Sequence, residues 1–467
     1  MTGIEVTMDF HPQPGPGRAR PWSFPVPERG ALANGLAVLR CHRPGQQVVA
    51  VEVGLDLTLD AEPDGLDGIA TIMVGALSQG TATHTAEQFT AELERCGATL
   101  GAHADYVGAR VSLEVPASRL SRALALLAEA LRTPAFPASE VERLVSNRLD
   151  EIPIELANPG RRAAKQLAQE LFPGSARLSR PRMGTADTVA RIDAAGVRAF
   201  YQAHVQPAGA TAVVAGDLTG IDLDAVLAAT LGRWTGHGAG APPGPSVAPL
   251  GTSGVVIVDR PGAVQTQLLI GRTGPDRHDR VWPALVLGTY CLGGTLTSRL
   301  DRVLREEKGY TYGVRASQQV LRSPAPHAGD GAAGASVFAI SGSVDTASTG
   351  PALADLWTVL RTLAADGLTE TERNAAVQNL VGVAPLRYEL AASVADTLAD
   401  QVQQHLPDDY QAQLYARLAE TGAAEATAAV VAAFPPDRLV TILVGDAAQI
   451  GAPVRALGIG EVKVVSG

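Results

Sequence analysis

Lysine is scarce. Lys165, Lys308 and Lys463 are the whole supply, set among 38 basic residues in a chain of 467. The formal net charge is −10. A phosphate-binding surface needs clustered Lys and Arg, so this balance argues against a nucleic-acid partner. Cysteine is equally thin: Cys41, Cys96 and Cys291 are far apart and odd in number. That pattern makes neither a disulfide framework nor a thiolate zinc cluster, and three buried thiols are the expectation. The nine His are scattered so that no two lie within five residues of each other. A pair one helical turn apart, the usual local metal signature, is therefore missing. No stretch is long and apolar enough to span a bilayer, so no membrane is expected as a partner. Phe10 to Pro27 is rich in Pro and Arg rather than apolar. With unpaired thiols, that points to a cytoplasmic location.

What the chain does have is core-forming material. Apolar residues make up 46% and charged residues 18%, as in well-packed globular proteins. The length exceeds one ordinary domain. The clearest break is the Gly- and Pro-rich stretch at residues 236–245, which carries no apolar periodicity and reads as a linker.

The two halves repeat each other. Ser139-Glu140-Val141-Glu142-Arg143 matches Thr369-Glu370-Thr371-Glu372-Arg373, and both show the Ser/Thr-x-x-Glu pattern of a helix start. Ala212-Val213-Val214-Ala215-Gly216-Asp217 matches Thr441-Ile442-Leu443-Val444-Gly445-Asp446, an apolar strand ending in Gly-Asp. The offsets, 230 and 229 positions, nearly coincide. Periodicity predicts strands at 36–39, 48–55 and 107–115, and helices at 67–78, 86–96, 118–131, 139–156 and 160–171, with Pro153 kinking or breaking the fourth. The second half gives strands at 255–258 and 265–271, then helices at 282–291 and 295–308. Runs of strands and helices in each half predict an α+β protein in which a sheet packs on helices twice over.

Several segments then resemble the M16 (pitrilysin-like) peptidases, specifically half-length members with two homologous domains. They are Leu32-Ala33-Asn34-Gly35-Leu36, Phe172-Pro173-Gly174, Gly184-Thr185 and the decapeptide from Leu304 to Gly313, Leu-Arg-Glu-Glu-Lys-Gly-Tyr-Thr-Tyr-Gly. The resemblance implies an irregular extension at residues 1–23, an M16-like domain at 24–236, a linker at 237–252 and a second M16-like domain at 253–467. It also exposes a gap. Where zinc-bearing members carry His-x-x-Glu-His, this chain reads Thr71, Ile72, Met73, Val74 and Gly75. Glu151 falls where the family places its third ligand, but a lone carboxylate does not hold zinc. The edge strand that receives substrate in active members aligns with Gly101-Ala102-His103-Ala104, without its Asn-Ala-x-Thr run. No metal is therefore expected in this chain.

Arg305 and Tyr312 keep the spacing of the Arg and Tyr that, in the family, enter the active site from the domain opposite the zinc. The resemblance assigns them hydrogen bonds to substrate carbonyls and to the developing oxyanion. Spacing alone favours a solvent-exposed Arg at a helix end and a packed Tyr; the surrounding decapeptide reverses that preference. Tyr310 stays a rival substrate-binding residue, since a strand starting at Tyr310 would point both rings the same way. Residues 323–336 read as a long hairpin loop or, more sharply, as a gate at a chamber mouth. Cys291 has no basic neighbour in sequence and reads as a structural thiol. The implied function is the non-zinc subunit of a heterodimeric M16 metallopeptidase, inactive alone. Its partners would be a zinc-bearing homologue with His-x-x-Glu-His and a peptide substrate, possibly a leader peptide. The alternative is a catalytically inert structural or peptide-binding homologue.

Overall fold

The computed structural model describes residues 22–236, 250–251, 253–322 and 335–467. Most of the N-terminal extension and of the linker, and residues 323–334 of the expected hairpin loop, lie outside the described residues. The first half contributes strands β1 (Glu28–Ala31), β2 (Ala37–His42), β3 (Val48–Leu55), β4 (Thr99–Ala104), β5 (Ala109–Pro116) and β6 (Thr211–Gly216). They form one sheet in the order β1-β2-β6-β3-β5-β4. The second half contributes β7 (Gly254–Asp259), β8 (Gln265–Gly274), β9 (Val314–Arg322), β10 (Ala335–Asp345), β11 (Val440–Gly445) and β12 (Val462–Ser466), in the order β12-β7-β11-β8-β10-β9. The repeated Gly-Asp strands are β6 and β11. Each is third in its sheet, parallel to one neighbour and antiparallel to the other. The copies differ at one edge: β1 precedes β2 and pairs antiparallel, whereas β12 arrives later in the chain and pairs parallel with β7. Two α+β units, each a mixed sheet packed on helices, are thus what the sequence pattern leads one to expect.

The helices relevant to the site are α1 (Ile69–Ala76), α2 (Ala86–Cys96), α3 (Leu120–Arg132), α4 (Ala138–Ala157), α5 (Pro159–Leu171), α6 (Trp282–Gly293), α7 (Thr349–Asp366), α8 (Glu370–Gly382) and α9 (Ala391–Gln403). α2 starts at a Thr85–Gln88 capping box and stops at Gly97, whose φ of 61° only glycine adopts freely. The box expected at Thr369 forms with Glu372. Its expected counterpart at Ser139 does not: α4 begins one residue earlier with Pro137 as the cap, so Ser139 already lies inside the helix. α4 also runs unbroken through Pro153.

Every residue of β6 and β11 is buried. Side chains alternate across a strand, so each sheet must be covered on both faces. On β6, Ala212 and Val214 face a core with Val51, Val53, Val111 and the helices of their own half. Val213 and Ala215 face the other way, into a core that contains Val394, Ala395 and Leu398 of α9. The second sheet mirrors this. Leu443 of β11 joins the core of its own half, while Ile442 and Val444 pack with Ala163, Leu167 and Leu171 of α5. Each half therefore lends one helix to the far face of the other half's sheet.

Polar contacts fix these loans. Arg110 of β5 is buried and donates to Asp396 at 2.6 Å and to Gln403 at 2.6 and 3.1 Å. The Gln403 amide donates back to the Ala109 carbonyl at 2.8 Å. Glu52 of β3 is buried beside them with one carboxylate oxygen lacking a hydrogen-bond partner. Burial pushes its pKa up to about 8 despite the nearby Arg110. The folded chain therefore binds more protons than the unfolded chain between about pH 4.5 and 8. The stability tied to Glu52 is fully present below that window and is lost as pH rises through it. Glu52→Gln keeps the shape and removes the titration. Melting temperatures measured across the window should fall for the native chain relative to the variant; parallel profiles would refute the assignment.

Candidate functional site

α1 carries the five positions where a metal motif is missing. Ile72, Met73 and Val74 are buried in the first core, while Thr71 and Gly75, one turn apart, share a half-buried face. The Thr71 hydroxyl is buried without a hydrogen-bond partner among the described residues. Gly75 is not needed for backbone reasons: its φ is negative, and an added Cβ would meet Leu144 at an ordinary 4.0 Å. On the facing helix α4, Glu151 accepts from Arg148 at 3.2 Å. Arg148 is buried and also donates to Glu155 at 2.7 Å and to the Met183 carbonyl at 3.2 Å. Glu151 is thus engaged by a guanidinium, and its neighbours on α1 offer one hydroxyl and no nitrogen. Among the described residues no three His, Cys, Asp or Glu side chains converge. This donor set does not fit zinc, which takes several N, S or O ligands at once.

The scaffold around that helix is nevertheless retained. Glu62 is fully buried, and one of its oxygens accepts from the backbone N–H groups of Gly68 and Ala70 at 2.9 and 3.0 Å, capping α1. Its other oxygen accepts from Arg177 at 2.8 Å. Arg177 also donates to the carbonyls of Arg180 and Arg182, and Arg180 pairs with Asp67 at 2.7 Å. Gly184 closes this knot, since a Cβ there would strike the Asp67 carbonyl at 2.1 Å. The sequence gives little warning of Glu62–Arg177, whose members lie 115 positions apart.

The second candidate element lies between α6 and β9. The expected helix at 295–308 is shorter and different: one α-helical turn at Arg299–Asp301 passes into a π-helical turn at Arg302–Glu307. Such turns are rare and often mark functional sites. The expected strand at Tyr310 is also corrected. β9 begins at Val314, because Gly309 adopts a φ of 67° and Thr311 forms a local turn with Gly313. The two tyrosines therefore do not share a strand face. Tyr310 is half-buried against the second core, whereas Tyr312 is 92% exposed. Arg305 sits on the π turn with its side chain about one-third exposed, and its guanidinium lies 3.4 Å from Glu306. The positioning residue that sequence reading missed is Asp301. It is fully buried, accepts from the Val314 backbone at 2.7 Å and pairs with Arg315, so it joins the start of the π turn to the start of β9. In sequence the signal was an acid set between Leu300 and the Val303–Leu304 pair of the predicted helix.

β4 is an edge strand, as expected for Gly101 to Ala104, and pairs with β5. Partial burial and the nearby Arg110 hold His103 below its usual pKa, favouring the neutral ring. All three cysteines are free and buried, and burial pushes Cys291 up to about 12, which removes it as a nucleophile.

Two outcomes follow from this geometry. Purified, tag-free chain should hold zinc far below one equivalent by elemental analysis; a stoichiometric, tightly held ion would contradict the donor set. Arg177→Met should cost about 3–5 kcal/mol in denaturant unfolding, because it strands the Glu62 carboxylate in the interior. Adding Glu62→Gln to that variant should recover part of the loss, and an additive double variant would refute the coupling.

Comparison with known proteins places these features. Residues 37–185 match the family profile described as insulinase (peptidase family M16), and residues 191–380 match that of the peptidase M16 inactive domain. An uncharacterised zinc protease of Mycobacterium leprae is 26% identical over 362 residues, covering 76% of this chain and 77% of its own. The peptidase M16 inactive domain from Pseudomonas fluorescens shares the fold with a TM-score of 0.78 at 23% identity, over 90% of this chain and 98% of that one. The periplasmic protease PqqL of Escherichia coli does so with a TM-score of 0.76 at 15% identity, over 95% of this chain and 48% of that one. PqqL also corrects the cytoplasmic expectation. This fold occurs in a periplasmic protein, and buried unpaired thiols do not decide a compartment. Among the described residues no helix is long and apolar enough to cross a membrane. Two family profiles in tandem, two matching sheets and a shared overall fold lead to one conclusion: the chain belongs to the M16 (pitrilysin-like) metallopeptidase family and carries two M16-type domains, without a recognisable metal site among its described residues.

Proposed function

We propose that this chain is the non-zinc subunit of a two-subunit M16 peptidase that cleaves peptides or unfolded segments. The observation that carries the reading is Tyr312: an almost fully exposed ring, on a loop whose ends Asp301 holds together, in a chain whose own metal positions read Thr71 and Gly75. A phenol held out in water is free to donate to another molecule, and the decapeptide around it resembles the segment that reaches substrate in the family. The partner, a homologue bearing His-x-x-Glu-His, supplies the metal and the attacking water. This chain supplies Tyr312, whose phenol donates a hydrogen bond to the substrate carbonyl as charge builds on its oxygen, and Arg305, which releases Glu306 to hold a neighbouring carbonyl. An extended substrate is held by adding a strand at a sheet edge. The inert structural or peptide-binding reading draws on the existing Arg305–Glu306 contact, which already occupies the guanidinium.

Co-expression with a zinc-bearing homologue from the same locus separates the two. The subunit reading expects a stable complex that cleaves peptides, with either chain nearly inactive alone. Within that complex, Tyr312→Phe should lower kcat by about 10²–10³-fold, the scale of one lost oxyanion donor. Arg305→Ala should affect both kcat and KM, since a guanidinium also binds the ground state. Tyr310→Phe should be mild, because that ring packs on the core. Full activity of the zinc subunit alone, or indifference to both Tyr312 and Arg305 variants, would favour the inert reading.

A further inference from the structure

The segment ahead of β1 belongs to the first half by sequence but is anchored on the second. Phe24 is fully buried in the second core, and Trp22 packs against that core. The Trp22 ring stacks on Tyr388 with centroids 5.8 Å apart and meets Tyr415 edge-on at 5.6 Å. Phe24 meets Tyr388 edge-on at 4.8 Å, and Arg43 donates to the Tyr388 carbonyl at 3.1 Å. Arg29 donates to Asp408 at 2.8 Å. Residues 22–29 thus form a strap from one half to the other.

Tyr388 lies on the turn between α8 and α9, and that turn carries apolar side chains on its outer side. Ala384, Tyr388 and Ala391 are buried. Val383, Leu386 and Leu390, interleaved with them, are 42, 70 and 62% exposed. Single exposed apolar residues need no explanation, but three within eight positions form a patch, and such patches mark contacts. None of the three lines the cavity of about 700 Å³ between the halves. The chain itself supplies a cover. Ile4, Val6, Met8 and Phe10 alternate with Glu5, Thr7 and Asp9, a pattern that in extended form presents four apolar side chains on one face. Eleven residues, 11–21, separate this segment from Trp22, among them Pro12, Pro14, Pro16 and Pro21. At about 3.1 Å per residue such a tether reaches about 34 Å. Leu386 and Leu390 are each two positions from Tyr388, on which Trp22 is stacked, so their backbones lie within about 8 Å of it. A tether of this kind gives an effective concentration in about the millimolar range, at which even a weak contact is occupied.

We infer that residues 4–10 continue the strap and lie across the turn at Val383–Leu390, with Ile4, Val6, Met8 and Phe10 covering Val383, Leu386 and Leu390. The contact ties the start of the first half to the helix pair α8 and α9, whose second member covers the far face of the first sheet. It goes beyond the subunit reading and does not depend on it.

The test places p-benzoyl-phenylalanine, a photo-cross-linker close to Phe in shape, in place of Phe10 of the full-length chain. Irradiation at low concentration should join position 10 to the peptide spanning residues 383–390. Mixing isotopically light and heavy chains should show that the link forms within one chain. Leu386→Asp together with Leu390→Asp should lower the yield about tenfold while leaving the melting temperature unchanged, because both side chains are exposed. A second readout follows a labelled synthetic peptide of residues 1–11 by fluorescence anisotropy. A full-length chain carrying Val6→Asp and Met8→Asp, whose own segment no longer competes, should bind this peptide about tenfold more tightly than the native chain does. A peptide of the same composition with its four apolar residues set side by side should bind that chain about tenfold more weakly. Adding Leu386→Asp and Leu390→Asp to the chain should weaken the native peptide by about the same factor. Cross-links to other segments would overturn the proposal, as would peptide binding indifferent to Leu386 and Leu390. Cross-links between heavy and light chains would assign the patch to a second copy and overturn it too. So would loss of the complex with a zinc-bearing homologue when Leu386 and Leu390 are changed, since that would assign the patch to the partner.

Discussion

Each sheet has two apolar faces, and the helices of its own half cover one of them. This constraint shapes the rest of the chain. The central strands β6 and β11 are buried along their whole length, so neither sheet is stable in water on its own terms. α5 leaves the first half to cover the second sheet, and α9 returns the favour. The cavity between the halves, the ion pairs around Arg110 and the placement of β9 all follow from where those two helices must lie. A fully buried Leu contributes about 1.5–3 kcal/mol, and α5 alone places Leu167 and Leu171 on the far sheet. Against a net stability of about 5–15 kcal/mol, these loans are not optional.

Around the lost metal motif, scaffold and chemistry have separated. The Glu62–Arg177 pair still caps α1 and still ties it to the loop that ends at Gly184. Nothing about those contacts requires a metal. They set the position of a helix in a hydrophobic core, and Ile72, Met73 and Val74 fill that core. The metal-facing positions, by contrast, hold Thr71 and Gly75, which the fold does not demand. A similar split appears in the second half. Asp301 is held by burial and hydrogen bonds and Tyr310 packs half-buried on the core, whereas Tyr312 makes little contact with its own chain.

Much of this was legible in the sequence. The duplication showed in two matched segments, because β6 and β11 must be apolar on both faces and end in a tight turn. β3 and α2 were read to the residue, the first as an apolar run between Gln47 and Asp56 and the second as an amphipathic stretch bounded by Thr85 and Gly97. What could not be read was local chemistry that depends on distant partners. The π turn at 302–307 and the delayed start of β9 come from Asp301 reaching across to Val314 and Arg315, a long-range contact that periodicity does not encode. The missing Ser139 cap reflects Pro137 taking the position first. The sequence singled out Arg305 and Tyr312 through the decapeptide around them; their environments, and the difference between Tyr310 and Tyr312, needed three dimensions. The cavity between the halves was invisible for the same reason, because one wall comes from α4, α5 and residues 178–187 and the other from β8, β9 and β10.

The helix exchange also has a temporal side. The first sheet is complete once β6 has been synthesised, but the helix that covers its outer face, α9, is encoded roughly 175 residues further on, about 10–35 s later at ribosomal speed. During that interval an apolar sheet face stands open to the cell. The order of the chain thus makes translation itself a period of exposure for that face.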